Sequence, residues 1–264
     1  MQKISACIIT FNDEHTVEWS ISSVRWADEI VVVDTGSTDR TIEIAQSLGA
    51  RIVHTQPFAG FGVMRNRAIE HCSNEWVFSL DSDEHCTQAA RDEIVATLAG
   101  TPAHDAYYIL RYNYFMGRWI RGSGYYRDHR TPQLFRKSCL RYTPSLSHEA
   151  HELTSDRPAG TLKNPILHFP FSRLEEVLKK ANLYSSLGAE AMAGRRVSMW
   201  SALGHGVWAF LRMYVLRRGF VDGWAGFIIA LSNFEGTFYR YAKAYERAQA
   251  WGLPSEDTAP RHKD

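Results

Sequence analysis

Trp76-Val77-Phe78-Ser79-Leu80-Asp81-Ser82-Asp83-Glu84 is a continuous apolar run that ends abruptly in three carboxylates. An unbroken run of that length is how a strand buried on both faces of a parallel sheet reads. In open α/β sheets, ligands bind just beyond the carboxyl ends of the strands. Asp81 and Asp83, one residue apart at such an edge, can both reach one hard divalent cation, which shares itself with substrate phosphates. The same residues would also serve as an acidic turn ahead of the helix expected from Gln88, because Asp and Glu are common before helices. The rest of the chain decides between the two.

Outward from this stretch the first hundred residues alternate strand and helix. Residues 4–10, 29–34, 51–54 and 76–80 are read as strands, and 12–24, 37–48, 61–71 and 88–98 as helices, with Ser37 or Thr38 capping the second helix. Repeated strand–helix units of this size imply a mainly parallel sheet covered on both faces. Near Gly100-Thr101-Pro102 the texture changes: residues 101–171 are rich in Tyr, Arg, Gly and Phe and read as irregular β structure with long loops. Residues 172–250 are helical. Leu174, Val177, Leu178, Ala181 and Tyr184 give one apolar face, and Val207, Phe210, Leu211, Tyr214 and Val215 a second. A third, Phe227 to Tyr245, is explained by core packing. Residues 251–264 read as a disordered tail.

Apolar content of 45% and charged content of 22% are those of a globular protein, which excludes a disordered or collagenous chain. The net charge of +1 hides an asymmetry: residues 1–100 hold 7 Lys+Arg against 15 Asp+Glu, and the excess reverses afterwards. An acidic half suits a metal; a basic half suits an anionic partner or surface; nucleic acid is disfavoured because the acidic half would lie beside any basic groove. Cys7, Cys72, Cys86 and Cys139 form no Cys-x-x-Cys pair, so neither a zinc site nor a disulfide framework is indicated. With no signal-peptide core and no apolar run of membrane-spanning length, a cytoplasmic location is expected.

The turn after the first strand, Thr10-Phe11-Asn12-Asp13-Glu14, has no glycines, which argues against a dinucleotide-binding domain, and no P-loop occurs anywhere. Gly60-Phe61-Gly62 opens a helix carrying Arg65 and Arg67, a place that could receive a diphosphate or be an ordinary turn. If the sheet is parallel, Thr10, Asn12 and Asp13, then Asp34, then Asp81 and Asp83 all face one crevice.

Four motifs in order carry a resemblance: Ile8 to Glu14, Val32 to Thr41, Met64-Arg65-Asn66-Arg67-Ala68, and Leu80-Asp81-Ser82-Asp83-Glu84. Together they resemble the nucleotide-sugar half of the family 2 inverting glycosyltransferases, which have the GT-A fold. The resemblance implies that Asp34 contacts the nucleotide base, that Thr10 and Asp13 line its pocket, and that Arg65 lies near the diphosphate. It implies that Asp81 and Asp83 form an Asp-x-Asp motif holding ribose and a divalent cation, Mg2+ or Mn2+, with Asp83 the direct metal ligand. The remainder is similar to bacterial lipopolysaccharide-core β-glucosyltransferases. That narrower likeness rests on Gln133-Leu134-Phe135-Arg136, His151-Glu152, Gly160-Thr161-Leu162, Ile166-Leu167-His168 and the stretch from Tyr214 to Gly226. The Gln-x-x-Arg-Trp signature of processive synthases is missing, so transfer of one sugar is expected; UDP-glucose as donor is what the resemblance implies.

An inverting transfer requires a general base for the acceptor hydroxyl. Two His-Glu pairs are present, and the spacing of the subgroup favours Glu152 over Glu149. His168 reads as a structural histidine, with metal or acceptor contact as alternatives. Arg212, Arg217 and Arg218 alternate with Trp208, Phe220 and Trp224, which suits the cytoplasmic surface of the inner membrane and a glycolipid acceptor, or else a packed helix pair with solvated arginines. The rival functions are a sugar nucleotidyltransferase, which would want a Gly-rich first loop, and a non-catalytic sugar- or membrane-binding module on a transferase fold.

Overall fold

A computed structural model describes residues 2–55, 60–124, 131–143, 150–171 and 173–249. The His148-Glu149 pair and the 251–264 tail lie outside the described residues. The chain divides into two compact units: Met1–Trp119 with Tyr125–Ser172, and Ile120–Gly124 with Arg173–Asp264.

The first unit opens with β1 (Ile4–Thr10), α1 (Val17–Ser23), β2 (Glu29–Asp34), α2 (Thr41–Ser47), β3 (Arg51–His54), α3 (Phe61–His71) and β4 (Trp76–Asp81). It continues with β5 (Glu84–Cys86), α4 (Gln88–Ala99), β6 (Ala106–Tyr108), β7 (Arg111–Phe115) and β8 (Arg118–Trp119). Then come β9 (Leu134–Arg136), β10 (Leu140–Tyr142), β11 (His151–Leu153), β12 (Gly160–Thr161) and β13 (Ile166–His168). A seven-stranded sheet has the order β12-β6-β9-β4-β1-β2-β3, parallel except where β9 runs against β4 and β6. Side chains alternate across it as a pleated strand requires. Ile4, Ala6 and Ile8 of β1 and Trp76, Phe78 and Leu80 of β4 share one cluster with Val17 and Ile21 of α1, Ala45 of α2 and Ile94 of α4. Cys7, Val31, Val33 and Val77 face the other way, with Ala68 and Ile69 of α3. Burying each large side chain contributes about 1.5–3 kcal/mol. The expected α/β architecture, a mainly parallel sheet with helices on both faces and a helical C-terminal region, is what the structure shows.

Behind the acidic turn stands a four-stranded sheet, β5-β13-β7-β8, in which His168 pairs with Glu84 on one side and Asn113 on the other. β10 and β11 form a hairpin. Two expectations shift. The first helix begins at Val17, not Asn12, because Asn12 to Asp13 are spent on loop hydrogen bonds to the neighbouring turn. Neither Ser37 nor Thr38 caps α2: the Ser37 hydroxyl accepts from the Asn12 N–H, and Asp39 accepts from the Thr41 N–H at the start of the helix.

The second unit contains α5 (Leu174–Glu190), α6 (Met199–Leu211), a π-helical turn over Arg212–Leu216, a 3-10 turn over Gly219–Asp222, and α7 (Gly223–Gln249), which packs on both α5 and α6. The distinctive stretch ending at Gly226 has a packing cause. A Cβ on Gly226 would meet the Gly219 carbonyl oxygen, so only glycine lets α7 start that close to the 3-10 turn. Asp222 is buried there, its carboxylate accepting from the N–H groups of Arg121 and Gly122 at 2.9 and 2.7 Å. The apolar faces of α5 and α6 do not all turn inward: Leu174, Leu178, Tyr184, Val207, Leu211 and Val215 are exposed. Among the described residues, no helix is long and apolar enough to cross a membrane.

Candidate active site

Parallel register brings the strand ends level. Thr10 of β1 is opposite Asp34 of β2, and Ile9 is opposite Asp81 of β4. Asn12 takes the left-handed conformation, φ 56°, which asparagine tolerates better than most residues. Its Oδ1 accepts from the Thr38 N–H at 2.8 Å, tying the β1 loop to the β2 loop. One oxygen of Asp13 accepts from Thr10 Oγ1 and the Phe11 N–H, both at 2.9 Å, and from Ser82 Oγ at 2.5 Å. Asp13 is thus a brace between the β1 loop and the acidic turn. Burial pushes its carboxyl above the ordinary range, although these donors pull the other way.

Asp34 is buried, yet it keeps its charge at ordinary pH. Burial alone would raise its carboxyl, but the Ser37 N–H at 2.9 Å, with His54 Nδ1 at 3.2 Å from the second oxygen, brings it below the usual range.

Arg65 projects from α3 and donates from Nη2 to Asp81 Oδ1 at 2.7 Å, with its guanidinium 5.6 Å from the centre of the Tyr142 ring. Burial pushes Asp81 up, but Arg65, Arg111 and His168 outweigh it and hold the carboxyl below its ordinary value. One oxygen of Asp81 is therefore committed to Arg65. α3 lies close to β10 because Gly62 has no side chain: a Cβ there would sit 2.2 Å from the Thr143 carbonyl oxygen. That close approach supplies a structural reason for the second glycine of Gly60-Phe61-Gly62.

Glu84 supports the turn from beneath. Fully buried, it accepts from the Asp81 N–H and from Gln133 Nε2 at 3.0 Å each and pairs with Arg111 Nε at 2.8 Å. Burial raises its carboxyl to about 7 against the pull of Arg111. Asp83 is held differently. Its backbone carbonyl accepts from the Phe169 N–H at 2.8 Å, and its Oδ2 lies 3.4 Å from His168 Nε2. The His168 Nδ1 is 2.6 Å from Asn113 Oδ1. Because an amide oxygen can only accept, Nδ1 is the donor in that contact, and Nε2 is the ring nitrogen that faces Asp83.

Asp83 Oδ1 is buried and has no hydrogen-bond partner among the described residues. A buried carboxylate oxygen without a donor is costly unless something else meets it. A carboxylate with one oxygen unmet and the other beside a histidine nitrogen is a donor set that fits a divalent cation. No group of three or more His, Cys, Asp or Glu among the described residues could hold a metal by itself. The remaining coordination would therefore come from substrate oxygens and water, as suits Mg2+ or Mn2+.

Thr10, Asn12, Asp13, Asp34, Arg65, Asp81 and Asp83 thus gather at one sheet edge. Glu152 makes none of these contacts. It is exposed on β11, opposite Arg141 on β10, and makes no side-chain hydrogen bond or ion pair among the described residues. Its hairpin is nevertheless fixed to α3, since the Asn66 amide brackets the Tyr142 backbone at 2.8 and 2.9 Å. Arg111 and Asn113 escaped the sequence reading. Their signal, polar residues alternating with aromatics in Arg111-Tyr112-Asn113-Tyr114-Phe115, gains meaning only once β13 pairs alongside.

The sequence model of the family described as Glycosyl transferase family 2 matches residues 5–152. An uncharacterized glycosyltransferase of Rickettsia typhi is 30% identical over 260 residues, covering 93% of this chain and 88% of its own. The lipopolysaccharide core biosynthesis glycosyltransferase LpsC of Rhizobium meliloti is 30% identical over 270 residues and 98% of each chain. A solved structure, glucosyl-3-phosphoglycerate synthase of Mycobacterium tuberculosis with Mn2+, UDP and glucosyl-3-phosphoglycerate, overlaps 43% of this chain and 44% of its own at 26% identity, with a TM-score of 0.37. With its family pattern spanning the whole strand edge just described, and a relative matched along nearly all of its length, the chain belongs to glycosyltransferase family 2 and is a glycosyltransferase.

Proposed function

We propose that the protein transfers one sugar, with inversion, from a nucleoside-diphosphate sugar (UDP-glucose) to a lipopolysaccharide-core or related glycolipid acceptor at the cytoplasmic face of the inner membrane. The observation that carries the reading is Asp83, whose Oδ1 is buried without a hydrogen-bond partner among the described residues and whose Oδ2 faces His168 Nε2, at the edge where Asp34 and Arg65 converge. Asp34, kept ionised by Ser37 and His54, accepts from the N–H edge of the base, and Thr10 and Asn12 shape the wall around it. Asp81 accepts from ribose with the oxygen that Arg65 leaves open, and Arg65 lends positive charge to the diphosphate. Asp83 and His168 would hold the cation, which when bound would neutralise charge developing on the departing diphosphate. The acceptor hydroxyl attacks the anomeric carbon as the bond to the diphosphate oxygen breaks, and Glu152 takes the hydroxyl proton. Glu149 is the alternative base. The lipopolysaccharide acceptor is the one suggested by the relative LpsC.

Purified enzyme is expected to hydrolyse UDP-glucose slowly with Mn2+ or Mg2+, and not with chelator. Glu152→Gln should lower transfer to a core oligosaccharide acceptor by roughly 10²–10⁴-fold while leaving UDP-glucose binding intact. Full transfer by Glu152→Gln would remove Glu152 as the base and leave Glu149→Gln as the next variant to assay.

A further inference from the structure

α6 reverses the pattern of an ordinary surface helix. It carries no Asp, Glu, Lys or Arg from Met199 to Leu211, and its buried positions are the small residues Ala202 and Gly206. Trp200, Leu203, Val207, Trp208 and Leu211 are exposed instead, Trp200 at 82% and Trp208 at 56%. At the helical repeat these five fall within a stripe of about 140°, on the side away from Ala202 and Gly206. A contiguous apolar surface of this kind marks an interaction site.

The charges around the stripe select what covers it. Between residues 191 and 234 the only cationic Lys or Arg side chains are Arg195, Arg196, Arg212, Arg217 and Arg218, all exposed, and they bracket α6 at both ends. The one acid in that span, Asp222, is withdrawn into the unit, its carboxylate taken by the N–H groups of Arg121 and Gly122. A second copy of the chain is a poor fit, because a two-fold contact through this face would set arginines against arginines with no acid on α6 to meet them. An anionic lipid surface offers both an apolar interior for the tryptophans and negative headgroups for the arginines. At 13 residues α6 is far too short to span a bilayer and would lie in its plane.

We propose that the outward face of α6, with the arginines at its two ends, is an in-plane docking surface for an anionic lipid bilayer. This deepens the membrane location given above and stands on the second unit alone, independently of the transfer chemistry.

The test is sedimentation of the full chain with phosphatidylcholine vesicles, with and without phosphatidylglycerol, at low and high salt. Binding should require phosphatidylglycerol and weaken at high salt. The Trp200→Ser/Trp208→Ser variant should lose roughly tenfold or more in partitioning. Arg195→Gln/Arg196→Gln/Arg212→Gln should lose roughly a hundredfold at low salt. Both variants should keep the circular dichroism and the UDP-glucose hydrolysis of the parent. Equal sedimentation with and without phosphatidylglycerol would overturn the proposal, as would a vesicle-free dimer that Trp200→Ser/Trp208→Ser dissolves. Vesicle binding by a protein that hydrolyses no sugar nucleotide would leave the docking surface standing and remove the donor reading; the reverse pattern would do the opposite.

Discussion

At the carboxyl edge of the seven-stranded sheet Glu84 and Asp34 are 1% and 4% exposed, whereas in the helical unit Trp200 and Trp224 are 82% and 77% exposed. The first region buries charge and the second exposes aromatic surface, so each breaks the usual division between inside and outside in the opposite sense. The two inversions are managed differently. Buried carboxylates need donors, and the sheet edge supplies them: Ser37 and His54 for Asp34, Arg65 for Asp81, Gln133 and Arg111 for Glu84. Exposed tryptophans need no partner for the fold to stand; they are costly only through the water they order. A defect at the sheet edge should therefore propagate through the protein, while one on α6 should stay local.

The largest expected effect comes from a buried carboxylate oxygen, Asp83 Oδ1, that no donor among the described residues meets. Asp83→Asn should reduce metal-dependent transfer by roughly a thousandfold or more, since it removes the anionic ligand at the diphosphate. Its melting temperature should fall by no more than about 2–4 °C, because Asp83 Oδ1 meets no donor among the described residues and Oδ2 has only the 3.4 Å pair with His168 to lose. Calorimetric titration of UDP with and without Mn2+ would show the loss directly. A variant that binds Mn2+–UDP as the parent does would detach Asp83 from the metal.

Next in size is the support beneath. Glu84→Gln keeps the shape of the side chain but gives a single acceptor oxygen where the parent serves Arg111, Gln133 and the Asp81 N–H. Above its titration at about 7, where the Glu84 carboxyl is charged, removing one partner from this buried network costs roughly 3 kcal/mol, or about 6–12 °C in a domain of this size. Thermal unfolding followed by circular dichroism measures it. A shift of no more than a degree or two would mean that the buried charge is not sustained by its neighbours, and the contrast with α6 would weaken.

The strands that carry this edge were legible because fully buried parallel strands announce themselves: Ile4 to Thr10, Glu29 to Asp34 and Trp76 to Leu80 are apolar runs ended by polar residues, and the structure has strands at all three. The gathering of Thr10, Asp34 and Asp81 followed, since parallel strands that neighbour one another in a sheet bring their carboxyl ends to the same edge. The second layer was not legible. Arg111, Asn113 and His168 come from strands of three to five residues whose pairing is set by contacts far apart in sequence, and no local periodicity encodes that. The helix starts slipped where side chains compete with the backbone: Asn12 and Asp13 look like helix N-terminal residues but are used by the loop. For α5 and α6 the period was readable and the direction was not, because an apolar stripe has the same spacing whether it meets a core or a bilayer.

The smallest expected effect tests the exposed side of the comparison most directly. Trp200 lies in the first turn of α6, which Ser198 caps by accepting from the Ser201 N–H at 3.1 Å. That cap does not involve the indole, and so little of the indole is buried that its removal leaves almost no cavity. Trp200→Ala should therefore change the free energy of unfolding by no more than about 0.5 kcal/mol, well below what Glu84→Gln costs. Urea denaturation of the two variants side by side would decide it, with equal slopes confirming that the same surface is exposed on unfolding. A loss of about 2 kcal/mol or more at Trp200 would show that the isolated protein covers this face, and the aromatic inversion would then be packing that the second unit completes by itself.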